Sequence, residues 1–153
     1  MNKQITELNS NKIFNHEFTV AKEEVDQYEH VNNVVYVKWM QDVAILHSES
    51  TGGAEAVREA NGRWVARSHR IEYLSPAFAG EDVIALTWVV NFRRVRSLRR
   101  YSFLRKNDKK LLARGETEWI FLDAATGRPR TIPVEVIRAF SIMPEYEEPR
   151  SLV

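Results

Sequence analysis

In the stretch VDQYEHVNNVVYVKWMQDVAILHSES, Val25 to Ser50, an acid, a histidine and two asparagines fall within a few residues of one another, just before a long apolar periodicity. That periodicity predicts a helix, and the first turn of a helix presents backbone N–H groups without intrahelical acceptors, together with a partial positive charge. Asn32 or Asn33 is a natural cap for those donors. Capping accounts for the asparagines alone. It does not account for Asp26 and His30 beside them, because an acid or base next to amide donors that can hold a developing oxyanion is what acyl transfer requires. Asp26, His30 and Asn33 are therefore the candidate catalytic residues.

Other chemistries find less support. With no Cys in the chain, disulfides, thiolate zinc sites and Cys nucleophiles are excluded. His16, His47 and His69 lack metal-ligand spacing, so no metal is expected. Ser68 and Ser75 sit in no Gly-x-Ser-x-Gly elbow. Trp39, Trp64, Trp88 and Trp119 fall on apolar periodicities and read as core or subunit-contact residues.

The elements that must position Asp26 can be read from periodicity. IFNHEFTVA, about Ile13 to Ala21, is a first strand. From Val34 onward, Val35, Trp39, Met40, Val43 and Leu46 recur at three- and four-residue spacing against a thin polar stripe, which predicts a helix covered on most sides and ending at Thr51–Gly53. A short helical piece, AEAVREA, stops at Asn61-Gly62, and the period then changes to two. RWVARSHRIEYLSP, EDVIALTWVVNFRR, SLRRYSFLRK and KLLARGETEWIFLD are four further strands. In the last, Ala113, Gly115, Thr117, Trp119 and Phe121 alternate with Arg114, Glu116 and Glu118, which predicts an antiparallel sheet with one buried and one wet face. Pro133 starts a helix of about two turns, and residues 141–153 form a polar tail expected to be loosely held.

The chain of 153 residues, 44% hydrophobic and 28% charged, suits a single domain spanning 1–153 with a core of about 13–140. Its fold class is α+β, with an antiparallel sheet of about five strands wrapped around one long central helix. No apolar run approaches the length of a membrane span, and the first residues lack a signal-peptide core, so a cytoplasmic location is expected. A net charge of +1 gives no general attraction to nucleic acid.

Asp26, three residues, then His30-Val31-Asn32-Asn33, with Tyr36 and Trp39 behind, resembles the hot-dog-fold acyl thioesterases, both the 4-hydroxybenzoyl-CoA thioesterase-like branch and the plant acyl-carrier-protein thioesterases. The resemblance runs from Phe14 to Phe140 and includes IEYLSPAFAGEDV and GRPRTIPVEVI. It implies a hot-dog fold and hydrolysis of an acyl-CoA, with coenzyme A as part of the substrate and no separate cofactor. Asp26 matches the catalytic carboxylate, acting as nucleophile or as base toward water, and the amide near Asn33 matches the oxyanion donor. His30 takes a supporting role, and Tyr36 is expected to contact substrate. The sequence departs from the family at Tyr28 and at Glu29, where many members have Gly; Glu29 implies a turn that need not adopt a Gly-only conformation.

RRVRSLRR, Arg93 to Arg100, holds five arginines around a strand connection. As a turn it is a solvated charge run. As a binding element, Arg93, Arg94 and Arg96 are candidates to clamp the phosphates of coenzyme A, or to meet an acidic acyl carrier protein. The family resemblance further implies a homodimer or homotetramer with sites between subunits. An acyl-carrier-protein thioesterase, a hydratase or dehydratase, and a non-catalytic acyl-CoA or carrier-protein binding module are the alternative functions on the same fold.

Overall fold

The computed structural model describes residues 11–153. Strand β1 (Phe14–Thr19) is followed by a 3-10 turn at Lys22–Glu24, helix α1 (Asn33–Thr51) and helix α2 (Gly53–Glu59). Strands β2 (Gly62–Tyr73), β3 (Asp82–Arg93), β4 (Arg96–Arg105) and β5 (Leu111–Asp123) then precede helix α3 (Val134–Arg138). All five strands form one antiparallel sheet in the order β1-β3-β4-β5-β2. Register shifts at Ala66/Ser68, Val89/Asn91 and Phe103/Leu104 bend the strands, and this curvature lets the sheet wrap α1.

Helix α1 begins where Asn32 caps it and ends at Gly52, whose φ of 86° is a conformation that costs a glycine little. It buries Tyr36, Trp39, Met40, Val43, Ala44 and His47, one face at three- and four-residue spacing, against Val83, Ala85, Tyr101, Phe103 and Ala113 of the sheet. The expected cover on most sides is not met within one chain. Val34 is 73% exposed and Ile45 58%, because the sheet encloses only the side of the helix that faces it.

The tail also departs from expectation. The Met143 N–H donates to the Val89 carbonyl at 2.8 Å, Trp88 Nε1 donates to Glu148 at 2.8 Å, and Ser102 donates to the Leu152 carbonyl at 2.8 Å. Met143 and Leu152 complete a second apolar cluster with Ile13, Leu86, Trp88, Val90 and Leu104 on the sheet face away from α1. Residues 141–153 are pinned because β3 is apolar on both faces and its outer face requires cover. On β5 the expected alternation is found, with Thr117 and Phe121 buried and Arg114, Glu116 and Glu118 forming cross-strand ion pairs with Glu72, Arg100 and Arg96.

At the start of β2, a methyl group on Gly62 would lie 2.1 Å from the Phe121 ring, which is fully buried. Gly62→Ala is expected to destabilise the protein by about 1–3 kcal/mol through overpacking, read as a lowered urea midpoint.

Candidate active site

The chain reaches α1 through a tight turn built on Asp26. The Asp26 N–H donates to the His30 carbonyl at 2.8 Å, and Asp26 Oδ1 accepts from the N–H groups of Tyr28 at 2.9 Å and His30 at 3.3 Å. Oδ1 is thus fixed by the backbone, while Oδ2 meets no protein donor among the described residues. Glu29, inside this turn, has φ 65°, the left-handed region that favours glycine. The turn therefore does adopt the conformation that Glu29 was expected to make unnecessary, and it carries the strain of a side chain there.

Bridges Val25↔Val31 and His30↔Phe78 tie the turn to itself and to the β2–β3 connection. Asn32 proves to be the cap, with its side chain accepting from the Val34 N–H at 3.1 Å and its own N–H donating to the Glu24 carbonyl at 2.9 Å. The N–H of Asn33, the first helical residue, meets no protein acceptor among the described residues. It points out of the helix start, on the segment whose turn holds the Asp26 carboxylate, and both residues are exposed. The His30 ring packs edge-on to Phe78 at 5.2 Å, and only its backbone engages Asp26.

Tyr36, in the same first turn of α1, faces the core instead. It is 3% exposed, packed against Trp39, Tyr73 and Phe103, and burial, then Tyr73, pushes its hydroxyl up to about 12. It is a core residue of this chain and stays protonated at ordinary pH. Arg93, Arg94 and Arg96 are remote, since they form the β3–β4 turn at the end of β3 opposite the His30–Phe78 bridge, roughly 30 Å away at about 3.3 Å per strand residue. Arg96 pairs with Glu118 at 3.2 Å, and the Arg94 carbonyl accepts from the Ile132 N–H at 2.8 Å. Within one chain they do not join the Asp26 cluster.

Two residues near the site escaped the sequence reading. Glu24 accepts from the Ala21 N–H at 2.9 Å and from Trp39 Nε1 at 2.7 Å, locking the 3-10 turn onto α1. The Tyr73 hydroxyl donates to the Asn33 carbonyl at 3.0 Å. Glu24 precedes the motif as one more surface-type acid, and Tyr73 arrives from another strand, so neither carries a periodic signal.

A cavity of about 740 Å³ opens beside the second half of α1, walled by that helix, α2 and strands β2 to β5. Its lining is mostly apolar, with Ala44, Ile45, Val57, Trp64 and Phe140 among the contributors. Arg99 lines the same cavity, and its Nη1 donates to His47 Nδ1 at 2.8 Å.

The family model of the thioesterase-like superfamily matches residues 20–140, which includes the Asp26 turn, α1 and the whole sheet after β1. The chain belongs to this superfamily. No curated protein matches it in sequence. The five-strand sheet around a long helix is the hot-dog fold of the thioesterase-like family's solved structures. An acyl-ACP thioesterase from Bacteroides thetaiotaomicron superposes with a TM-score of 0.78 at 23% identity, over 91% of this chain and 58% of that one. The 1,4-dihydroxy-2-naphthoyl-CoA thioesterase from Synechocystis gives 0.75 at 15%, over 83% and 94%. A Staphylococcus aureus protein solved in complex with CoA gives 0.76 at 16%, over 84% and 82%. At these identities the likeness is one of fold.

Burial, and then the Arg99 cation, hold the imidazole of His47 in this thioesterase-like chain down to about 3. The unfolded chain takes up this proton below about 6.5, whereas the folded one does so only near 3. His47 therefore contributes stability in full above about pH 6.5, and that contribution is lost as pH falls toward 3. Urea unfolding between pH 7 and 4 is expected to show stability falling by up to about 1.4 kcal/mol per pH unit from this group, with a shallower fall in His47→Gln. Equal slopes in the two proteins would exclude a neutral buried His47.

Proposed function

We propose that this chain hydrolyses an acyl-CoA thioester to a free carboxylic acid and coenzyme A. The observation that carries the reading is a backbone-held carboxylate, Asp26, on the turn that leads into a helix start where the Asn33 N–H meets no protein acceptor among the described residues. Asp26 Oδ2 either attacks the thioester carbonyl or takes a proton from the water that does. The carbonyl oxygen becomes an oxyanion in either case, and the Asn33 N–H and the positive end of α1 face it. Collapse of the tetrahedral species breaks the C–S bond and expels coenzyme A as a thiolate, which takes up a proton. In the nucleophilic route the one water consumed then cleaves the mixed anhydride on Asp26, releasing the carboxylic acid and restoring the carboxylate. His30, edge-on to Phe78, shapes the site wall.

The coenzyme A complex of the Staphylococcus aureus neighbour supports coenzyme A as the leaving group. The acyl-ACP thioesterase neighbour supports an acyl carrier protein as the second choice. Since the chain has no Cys, a thiol-reactive dye reports only released thiol. Asp26→Asn is expected to lower kcat on acyl-CoA by at least about 100-fold while leaving the circular dichroism spectrum unchanged. A variant as fast as the wild type would remove Asp26 from the mechanism.

The working form on this reading is a homodimer. It is supported by the exposed apolar side of α1, Val34 and Ile45, and by the half-exposed Val65 on the edge strand β2. Arg93 and Arg94 would then serve as phosphate contacts across that interface, since they are remote from Asp26 in their own chain. Light scattering is expected to give the mass of two chains or a multiple of it; the mass of one chain would overturn the assembly and the arginine role together.

A further inference from the structure

Arg99 is a buried cation without a carboxylate partner among the described residues. It is 5% exposed, and its Nη1 donates to His47 Nδ1 at 2.8 Å and to Thr87 Oγ1 at 3.0 Å, with the Phe140 ring 5.7 Å from its guanidinium carbon. All three neighbours are neutral, and they engage one nitrogen and one face. Nε and Nη2 find no protein acceptor among the described residues. The Trp119 ring lines the same cavity. Burying a guanidinium in this way costs far more than neutral dipoles return. The next residue makes the contrast, for Arg100 on the opposite face of β4 pairs with Glu116, Glu145 and Glu148.

A strut between β3, β4 and α1 would need only the Nη1 contacts. It would not need a guanidinium facing an apolar cavity of about 740 Å³, a size that suits a small-molecule ligand. The side-on pair of Nε and Nη2 matches the two oxygens of a carboxylate. The apolar walls suit a hydrocarbon or aromatic body.

We propose that this cavity receives an acyl group whose far end carries a carboxylate, and that Arg99 binds that carboxylate through Nε and Nη2. The inference rests on the thioesterase reading and names its substrate class. His47, the partner of Arg99, lies ~21 Å along α1 from Asn33 at ~1.5 Å per residue. Relative to its own Asp26 the anion is therefore the distal group of the acyl moiety; Ile45 and Val65, which line the cavity, face the partner in the proposed homodimer, and the matched pairs below decide between a distal carboxylate and the one that hydrolysis creates.

The test is thiol release from pairs of acyl-CoAs matched in length, one ending in a carboxylate and the other in a methyl, across several lengths. The wild type is expected to favour the carboxylate-ended member by at least about tenfold in kcat/KM at the preferred length, the scale of one charge-assisted hydrogen-bonded pair. In Arg99→Met that ratio should collapse toward one, and Arg99→Lys should recover part of it. Should neither variant fold, the wild-type ratio alone decides. A wild type that hydrolyses both members equally, or prefers the methyl, overturns the inference and leaves the thioesterase standing. Preserved preference in a folded Arg99→Met overturns it as well. If Arg99→Met relieves inhibition by the methyl-ended free acid while the thioester pair is not discriminated, the anion bound is the product and the inference fails. Calorimetry with Asp26→Asn and the same pairs separates the two readings: a preference in binding without turnover in the wild type retains the pocket and rejects the hydrolase, and no binding of either member rejects both.

Discussion

Helix α1 lies so near the sheet that a methyl group on Gly115 would come within 3.0 Å of both Met40 Sδ and the Arg70 carbonyl. This close approach sets the position of everything attached to the helix. Met40, Val43 and Tyr36 are sealed against β4 and β5, and the axis of α1 is held relative to the strands. With the axis held, the first turn keeps its one N–H without a protein acceptor among the described residues, that of Asn33, on an exposed residue. A site that stabilises an oxyanion needs that rigidity, because a donor placed even an ångström away does little.

The approach to α1 is stabilised by hydrogen bonds that use few residues. Glu24 satisfies Ala21, Asn32 and Trp39 through its side chain and carbonyl, so one acid joins the 3-10 turn, the cap and the core. Asp26 in turn organises the reversal at Tyr28 to His30 with one oxygen and leaves the other for chemistry. The same residue is structural and reactive, through different atoms. The positive φ at Glu29 is local strain of the kind that persists where surrounding contacts over-determine a turn.

Strand β4 divides charge between its two faces. Toward the outside, Arg100 is neutralised by three glutamates, two of them supplied by the C-terminal segment that covers the sheet. Toward α1, Arg99 meets only neutral groups among the described residues, and the neutral state of His47 is itself enforced by burial and by that cation. The outer arginine is thus fully paired, while the inner one, beside a cavity, meets no carboxylate among the described residues.

The sequence by itself determined the elements and the motif. Alternation marks the strands, three- and four-residue spacing marks α1, Gly52 marks its end, and Asp26, His30 and the two asparagines declare their chemistry by type and spacing, because these signals are local and repeat along the chain. Tertiary structure decided which partners those residues have. Whether Asn32 or Asn33 caps the helix depended on the turn that Asp26 builds. Tyr36 went to the core and the arginines of the β3–β4 turn to the far end of the strands, because the helix phase and strand direction are settled only when the sheet curls. The tail from 141 to 153 looked polar because Met143 and Leu152 are isolated in it, and only the apolar outer face of β3 shows what they cover. Arg99 read as one of five arginines in a basic run; the pleat of β4, which sends successive side chains to opposite faces, is what buried it.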